Sequence, residues 1–238
     1  MNALAGRTAV VSGASRGIGL EVARALAADG IRVAMVARSA DELRDRASEI
    51  GERAIAIPCD VADADAVNAL VKRAAREFGG APDVIVNNAG NFTLATVETT
   101  EPESFRAALE VNLVAPFALV HAFLAEMRKR KRGHIVTIGS IADRVAFPEN
   151  GAYAASKFGL RALHEVLRAE LRGSGVRATL VSPGPVDTTL WDGIDTETRP
   201  GFTPRAQMLS ARAVAEAVRY AVAQPDEVNV DELRLSRS

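Results

Sequence analysis

At 238 residues, 48% hydrophobic and 25% charged, the chain has the size and composition of one α/β domain with a sizeable buried core. Its net charge of −1 argues against polyanion binding, so no nucleic-acid partner is expected. The single cysteine, Cys59, permits no internal disulfide and fits a reducing compartment.

The first apolar stretch, RTAVVS at 7–12, runs into Gly13-x-x-x-Gly17-x-Gly19, and a helix pattern follows over 17–29. Glycines are costly in unfolded-chain entropy, so three of them at the end of a strand need a backbone reason. A strand turning sharply into a helix whose free N–H groups receive a phosphate supplies one. Gly13 then makes the turn, Gly17 lets the backbone approach a pyrophosphate, and Gly19 allows close helix–strand packing. The Gly-Lys-Ser/Thr ending of a triphosphate loop is absent, which favours a dinucleotide. The second strand, IRVAMVA at 31–37, ends in Ala37 followed by Arg38. An NAD site places Asp or Glu there for the ribose 2′-hydroxyl. Arg38 and Arg16, inside the glycine loop, can instead clamp a 2′-phosphate, so NADP(H) is the expected cofactor.

Further along, RAIAIP (53–58) and DVIVNN (83–88) read as strands, with helices near 40–50, 63–78 and 102–131. Ser39-x-x-Glu42 and Thr100-x-x-Glu103, the latter with Pro102 in the first turn, have the form of capping boxes. The basic run Arg128–Arg132 precedes Gly133 and reads as a solvated helix end whose cations meet the negative end of the dipole. Strands GHIVTIG (133–139), VRATLVS (176–182) and VDELRL (230–235) alternate with helices at 152–173 and 210–223. Repeated β-α-β units with near-continuous apolar strands predict a doubly wound parallel sheet with helices on both faces. There is no linker and no repeat, so one domain over 1–238 is expected. The segment 188–210 has mixed polarity, turn residues and exposed-looking Trp191, Phe202 and Met208, and reads as a lid. No apolar run approaches the ~18 residues of a membrane span. The start, MNALAGR, has neither a basic nor an apolar signal stretch. A cytoplasmic protein with no membrane partner is the expectation.

Tyr153 and Lys157 stand four apart on a predicted helix, hence on one face. Ser140 ends the fifth strand at the carboxyl edge, where α/β folds bind ligands. Asn112 lies at an interruption between two helical stretches. His121, His134 and His164 lack paired metal-ligand spacing and read as surface or core histidines, so no metal is expected.

With the glycine loop, these residues resemble the compact single-domain branch of the short-chain dehydrogenase/reductase family, over nearly the whole chain. The matching pieces are SGASRGIG, CDV at 59–61, NNAG at 87–90, VNL at 111–113, Ser140, Tyr153-x-x-x-Lys157 and PGPVDT at 183–188. Ser12, where the family usually has Thr, keeps the hydroxyl. The resemblance implies a Rossmann-type fold whose dinucleotide is held by Gly13, Ser15, Arg16, Gly17, Ile18, Gly19 and Arg38. It places Asp60 and the Val61 backbone at the adenine, and Asn88, with Ala89 and Gly90, near the adenine-proximal ribose; Asn87 is chiefly structural. Pro183 and Gly184 lead to Val186 and Thr188, which contact the nicotinamide carboxamide. Tyr153 and Lys157 hold the nicotinamide ribose and also act on substrate.

The implied activity is NADP(H)-dependent interconversion of a ketone or aldehyde with an alcohol. Tyr153 is the acid/base, Lys157 the cation that lowers its pKa, Ser140 the group that orients the carbonyl, and Asn112 the residue that binds a water relaying protons from Lys157. Two alternatives are a 3-oxoacyl-carrier-protein reductase docking an acidic carrier near Arg128–Arg132, and a catalytically silent NADP(H)-sensing protein. The substrate is a small carbonyl compound. Phe92, Leu94, Ala142, Phe147, Asn150, Trp191, Phe202 and Met208 are expected to line its pocket, with no fixed clamp for a charged group. A homodimer or homotetramer is expected through the helices near 114–131 and 153–173, where Ala154, Ala155, Gly159, Ala162 and Leu163 offer surface for close approach.

Overall fold

The computed structural model describes residues 4–238. Seven strands form one parallel sheet: β1 (Thr8–Ser12), β2 (Arg32–Ala37), β3 (Ala54–Pro58), β4 (Val84–Asn87), β5 (Gly133–Ile138), β6 (Val176–Pro183) and, at the far edge, β9 (Glu232–Leu235). Their spatial order is β3-β2-β1-β4-β5-β6-β9, so strand order reverses between β1 and β4 and opens a crevice at their carboxyl ends. Two short strands, β7 (Val186–Asp187) and β8 (Leu209–Ser210), pair separately. All seven predicted strands are present.

Alternation along each strand sends side chains to two cores. Ala9 and Val11 face the layer of α1 (Gly17–Ala28) and α7 (Ala211–Ala223), while Val10 faces α3 (Ala64–Phe78) and α5 (Ala115–Lys129). Helix α2 (Ala40–Ile50) covers β2 and β3, and α6 (Gly151–Glu170) lies beside α4 (Pro102–Leu109). Helix α3 begins at Asp63, whose carboxylate accepts from the Asp65 and Ala66 amides at 2.8 and 3.1 Å. It ends at left-handed Gly79.

Three local expectations need correction. Neither proposed capping box forms: the Ser39 side chain makes no cap bond, and α4 is entered through Glu101. The residue before Pro102 is forced to be extended, so it becomes the cap and leaves Thr100 one position too early; the Thr100 hydroxyl donates to the Thr96 carbonyl at 2.7 Å instead. The basic run is not simply solvated. Arg130 donates to the carbonyls of Ala81 and Pro82 at 2.7 and 2.5 Å, Arg132 pairs with buried Asp83 at 2.8 Å, and Arg128 reaches the Glu170 carbonyl. Within Pro102–Lys129 one window reaches a mean hydropathy of 1.7, more than the sequence reading allowed. One face of it, with Leu119, Phe123 and Met127, packs on the sheet.

The predicted helix over 102–131 is also divided. Glu110–Val114 forms a π turn between α4 and α5. Pro116 has no N–H to give the Asn112 carbonyl four residues earlier, and the helix widens there.

Candidate active site

The cleft at the carboxyl edge of the sheet encloses about 1310 Å³ and runs from the turn after β1 to the segment after β7. At its first end the glycine reading holds. Gly13 and Gly17 have φ of +66° and +57°, where side chains are strained. A Cβ on Gly19 would lie 2.2 Å from the Gly13 carbonyl oxygen. Ser12 ties this turn to the one after β4: its hydroxyl accepts from the Asn88 and Ala89 amides, both at 3.0 Å. The Asn88 side chain reinforces the link, donating to the Ser12 and Gly13 carbonyls at 2.9 and 3.2 Å. Its Nδ2 is therefore a brace between loops, which leaves its Oδ1 and its backbone carbonyl for any ligand contact.

Ser15, Arg16, Gly17, Ile18, Arg38, Asp60, Val61, Ala89 and Gly90 all line this half of the cleft. Arg16 and Arg38 are exposed there, and among the described residues no acidic side chain pairs with either. Cys59 is buried, and its thiol is pushed up to about 11 by burial, with Asp60 and Asp63 adding to it.

At the other end, Ser140 opens a single 3₁₀ turn, Ile141–Asp143, that forms a true capping box. The Ser140 hydroxyl accepts from the Ala142 amide at 3.1 Å, and the Ser140 amide donates to Asp143 Oδ2 at 3.3 Å. Asp143 is fully buried. Ser182 Oγ donates to it at 2.6 Å and Arg144 Nε at 2.8 Å, with Arg161 at 3.6 Å. Helix α6 then brings Tyr153 and Lys157 to the cleft on one face. Burial holds the Tyr153 phenol above its ordinary pKa; a bond with Ser140 opposes this and the Asp143 charge adds to it. Burial brings the Lys157 ammonium down to about 8, while Asp143 pulls it up. Its Nζ donates to the Ile138 carbonyl at 2.9 Å and lies 5.6 Å from the Tyr153 ring centroid. Burial is thus the largest influence on the phenol, and the Lys157 ammonium is fixed by a carbonyl.

Asn112, buried in the π turn, uses its whole side chain structurally. Oδ1 accepts from the Asn91 amide at 2.9 Å, and Nδ2 donates to the Asn91 carbonyl and Ser156 Oγ at 3.0 and 2.9 Å. Ser156 in turn donates to the Tyr153 carbonyl at 2.7 Å. The chain Asn91–Asn112–Ser156 therefore fixes the first turns of α6. Asn87 is buried in β4, as a structural residue should be.

Seven of the eight expected pocket residues line the cleft; Met208, within the 188–210 segment, does not, being buried at 5% exposure. Pro183, Gly184, Val186 and Thr188 line it too. The Val186 carbonyl accepts from Trp191 Nε1 at 3.0 Å, and the Thr188 hydroxyl caps the following turn. The segment is held at its base by Arg205, which reaches Asp187 at 2.7 Å, Asp192 at 2.9 Å and the Thr188 carbonyl at 3.1 Å.

Sequence reading missed Asp143, Ser156 and the Arg199–Glu149 pair. Asp143 was findable as a Ser-x-x-Asp cap directly after a strand, and Ser156 lies inside the YAASK motif. The pair joins residues 50 apart and leaves no local signal.

A doubly wound sheet with a glycine-lined turn at its switch point defines a dinucleotide-binding α/β protein. The short chain dehydrogenase family model matches residues 7–199, and the chain belongs to that short-chain dehydrogenase/reductase family as an oxidoreductase. It is 34% identical, over 98% of its length and 96% of the relative's, to an uncharacterised oxidoreductase of Staphylococcus saprophyticus subsp. saprophyticus. Among solved structures it is similar to a metagenomic short-chain oxidoreductase in complex with NADP, with a TM-score of 0.84, 34% identity and coverage of 99% and 98% of the two chains. It is also similar to an alcohol dehydrogenase from the archaeon Thermococcus sibiricus complexed with 5-hydroxy-NADP, with a TM-score of 0.86, 34% identity and coverage of 96% and 95%. A nicotinamide dinucleotide is the typical cofactor of this family.

Proposed function

We propose that the protein is an NADP(H)-dependent reductase of ketones or aldehydes, with Tyr153 as its acid/base. The observation that carries this reading is the meeting of Tyr153, Ser140 and Lys157 at one end of a cleft whose other end exposes Arg16 and Arg38. The residues fit the dinucleotide: a Cβ on Gly17 would reach Thr188 at 3.3 Å and narrow the cleft between them, and two unpaired guanidiniums suit a 2′-phosphate.

Bound there, the nicotinamide supplies or takes back a hydride. The Ser140 hydroxyl donates to the substrate oxygen and aligns it. The Tyr153 hydroxyl delivers its proton to that oxygen as negative charge develops, completing the alcohol. A phenol pKa held up by burial keeps this proton in place until the charge appears, which suits reduction. Lys157, still protonated near neutrality with a pKa of about 8, stabilises the phenolate left behind. The Asn112 side chain positions α6, and its carbonyl, deprived of the Pro116 N–H, is the atom offered to a relay water.

The segment 188–210 serves as the substrate lid. The expected contact with a second subunit is kept, with Ala155 and Ala162 exposed and Leu163 half-buried on α6, but two of its residues drop out. Ala154 is buried, and a Cβ on Gly159 would meet Leu113 Cδ2 at 2.9 Å, so both face inward. Phe117, Phe158 and Val166 are the large apolar side chains left exposed on α5 and α6, and they form the proposed contact. A panel of carbonyl compounds assayed by NADPH absorbance tests the function. Tight NADPH binding without turnover of any of them would favour the nucleotide-sensing alternative.

A further inference from the structure

The substrate half of the cleft carries an unbroken file of aromatic rings. Phe92 meets Tyr153 edge-to-face at 4.9 Å between centroids and 82°, and meets Trp191 at 5.1 Å and 63°. Trp191 meets Phe202 at 6.4 Å and 89°. The Arg199 guanidinium lies over the Phe202 ring, 4.9 Å from its centroid, and pairs with Glu149. Phe92, Trp191, Phe202, Arg199 and Glu149 all line the cleft.

Charge along this wall is sparse. Of the charged residues lining the cleft, Arg16, Arg38, Glu42 and Asp60 belong to its glycine-loop end and Lys157 to the reacting end. Glu149 and Arg199 alone remain at the substrate end, and each neutralises the other. Glu149 has φ of +61°, a conformation uncommon outside glycine, and its carbonyl accepts from the Ala95 amide at 2.9 Å, which fixes its loop. Arg199 is steadied by the ring beneath it. A carboxylate on a substrate tail would have to displace Glu149 from Arg199 and leave that acid unpaired in a half-buried place. An ammonium would do the same to Arg199. Such a pair works against tails of either sign.

Resting on the reductase reading above, we infer that the substrate is an uncharged aryl carbonyl compound, whose ring packs against Phe92 and Trp191, and that the Arg199–Glu149 pair is a specificity element excluding charged tails. Flat rings gain from edge-to-face walls in a way saturated rings do not. Removing one partner of the pair should admit the charge opposite to the one that remains.

The experiment compares kcat/KM with NADPH for acetophenone, cyclohexyl methyl ketone, 4-acetylbenzoate and 4-(aminomethyl)acetophenone, in the native enzyme, Glu149→Gln and Arg199→Gln. Acetophenone should exceed the saturated ketone by about tenfold, and both charged ketones should trail it by at least about tenfold. Glu149→Gln should recover 4-acetylbenzoate alone, and Arg199→Gln the aminomethyl ketone alone. Trp191, the single tryptophan of the chain, gives a readout independent of turnover: acetophenone should quench its fluorescence and cyclohexyl methyl ketone should not. Equal turnover of neutral and charged ketones, or variants that leave the charge preference unchanged, would overturn the inference while leaving a reductase. Quenching by acetophenone with no NADPH consumed by any ketone would instead overturn the reductase reading and leave the aryl site standing.

Discussion

Ser140 and Asp143 cap opposite sides of one turn, with the Ser140 amide 3.3 Å from Asp143 Oδ2 and the Ser140 hydroxyl holding the Ala142 amide at 3.1 Å. The serine that faces Tyr153 is thus oriented by a carboxylate with no solvent exposure. Asp143→Ala should leave Ser182, Arg144 and Arg161 without their buried acceptor and cost about 3 kcal/mol, the scale of breaking a buried charged network. Asp143→Asn keeps the shape and removes the charge. Because that charge raises the pKa of both Tyr153 and Lys157, the pH profile of kcat should move towards acid in this variant. Urea unfolding and a pH series on each protein check the two effects separately.

Tyr153→Phe removes the proton donor and should reduce kcat by about 10²–10⁴-fold, while NADPH affinity stays within about tenfold. Lys157→Ala should impair both turnover and coenzyme binding. In the native enzyme, reduction should weaken above about pH 8, as Lys157 loses its proton. Steady-state rates and NADPH fluorescence titration distinguish the variants, and a Tyr153→Phe enzyme with near-native kcat would remove the tyrosine from its role.

Coenzyme choice should follow Arg16, Ala37 and Arg38. Two exposed guanidiniums sharing a 2′-phosphate supply about 3 kcal/mol after screening, or roughly a hundredfold preference for NADPH. Arg38→Leu should raise KM for NADPH far more than for NADH. Ala37→Asp should reverse the preference in part by repulsion. The ratio of kcat/KM for the two coenzymes, at one ionic strength, is the measurement; a native preference for NADH would refute the clamp.

The fold should be sensitive to mild acid. His164 Nδ1 contacts Thr137 Oγ1 at 3.0 Å, and burial lowers its pKa to about 4. His134, beside Thr179, is shifted the same way by burial. Both histidines are neutral when folded and take up protons near pH 6.5 when unfolded. Stability is therefore complete above about pH 6.5 and falls as pH drops towards 4, by about 3 kcal/mol for His164 alone. Urea midpoints at pH 7.5 and 5 should differ accordingly, and His164→Gln should reduce the difference.

Light scattering at micromolar concentration should report a dimer or tetramer. Phe158→Asp, at a residue 43% exposed, should dissociate it without unfolding the chain, because much of that ring already faces solvent. A native monomer would refute the proposed interface.

The sheet was legible in the sequence because its central strands are buried and carry apolar residues in succession, and no other period explains VVS, VAMVA or VIVN. The glycine turn was legible for a similar local reason: Gly19 leaves no room for a Cβ against Gly13. What escaped is non-local or set by competition. The Tyr153 pKa depends on how deeply the ring is buried, which no spacing encodes. The split in the 102–131 helix follows from Pro116 and is visible only once the missing N–H is traced to Asn112. Of the small residues on α6 that suggested an interface, Ala155 and Ala162 stay exposed, whereas Ala154 and Gly159 are small because the molecule's own side chains press on them.

Arg205 anchors two separate points of the proposed lid, Asp187 at its root and Asp192 beyond the first turn. The contour beyond this anchor is thereby reduced to the stretch between Asp192 and Arg205, roughly half of the segment, and the Arg199–Glu149 pair holds it once more near its middle. Loop-closure entropy changes by only about 0.6 kcal/mol for each halving of length, so the anchor does little to stabilise the fold. Its larger effect is on the number of conformations the lid must give up when it folds over a ligand. A loop tethered in advance has fewer to lose, and the Arg205 side chain has already met part of that entropic cost before any ligand arrives.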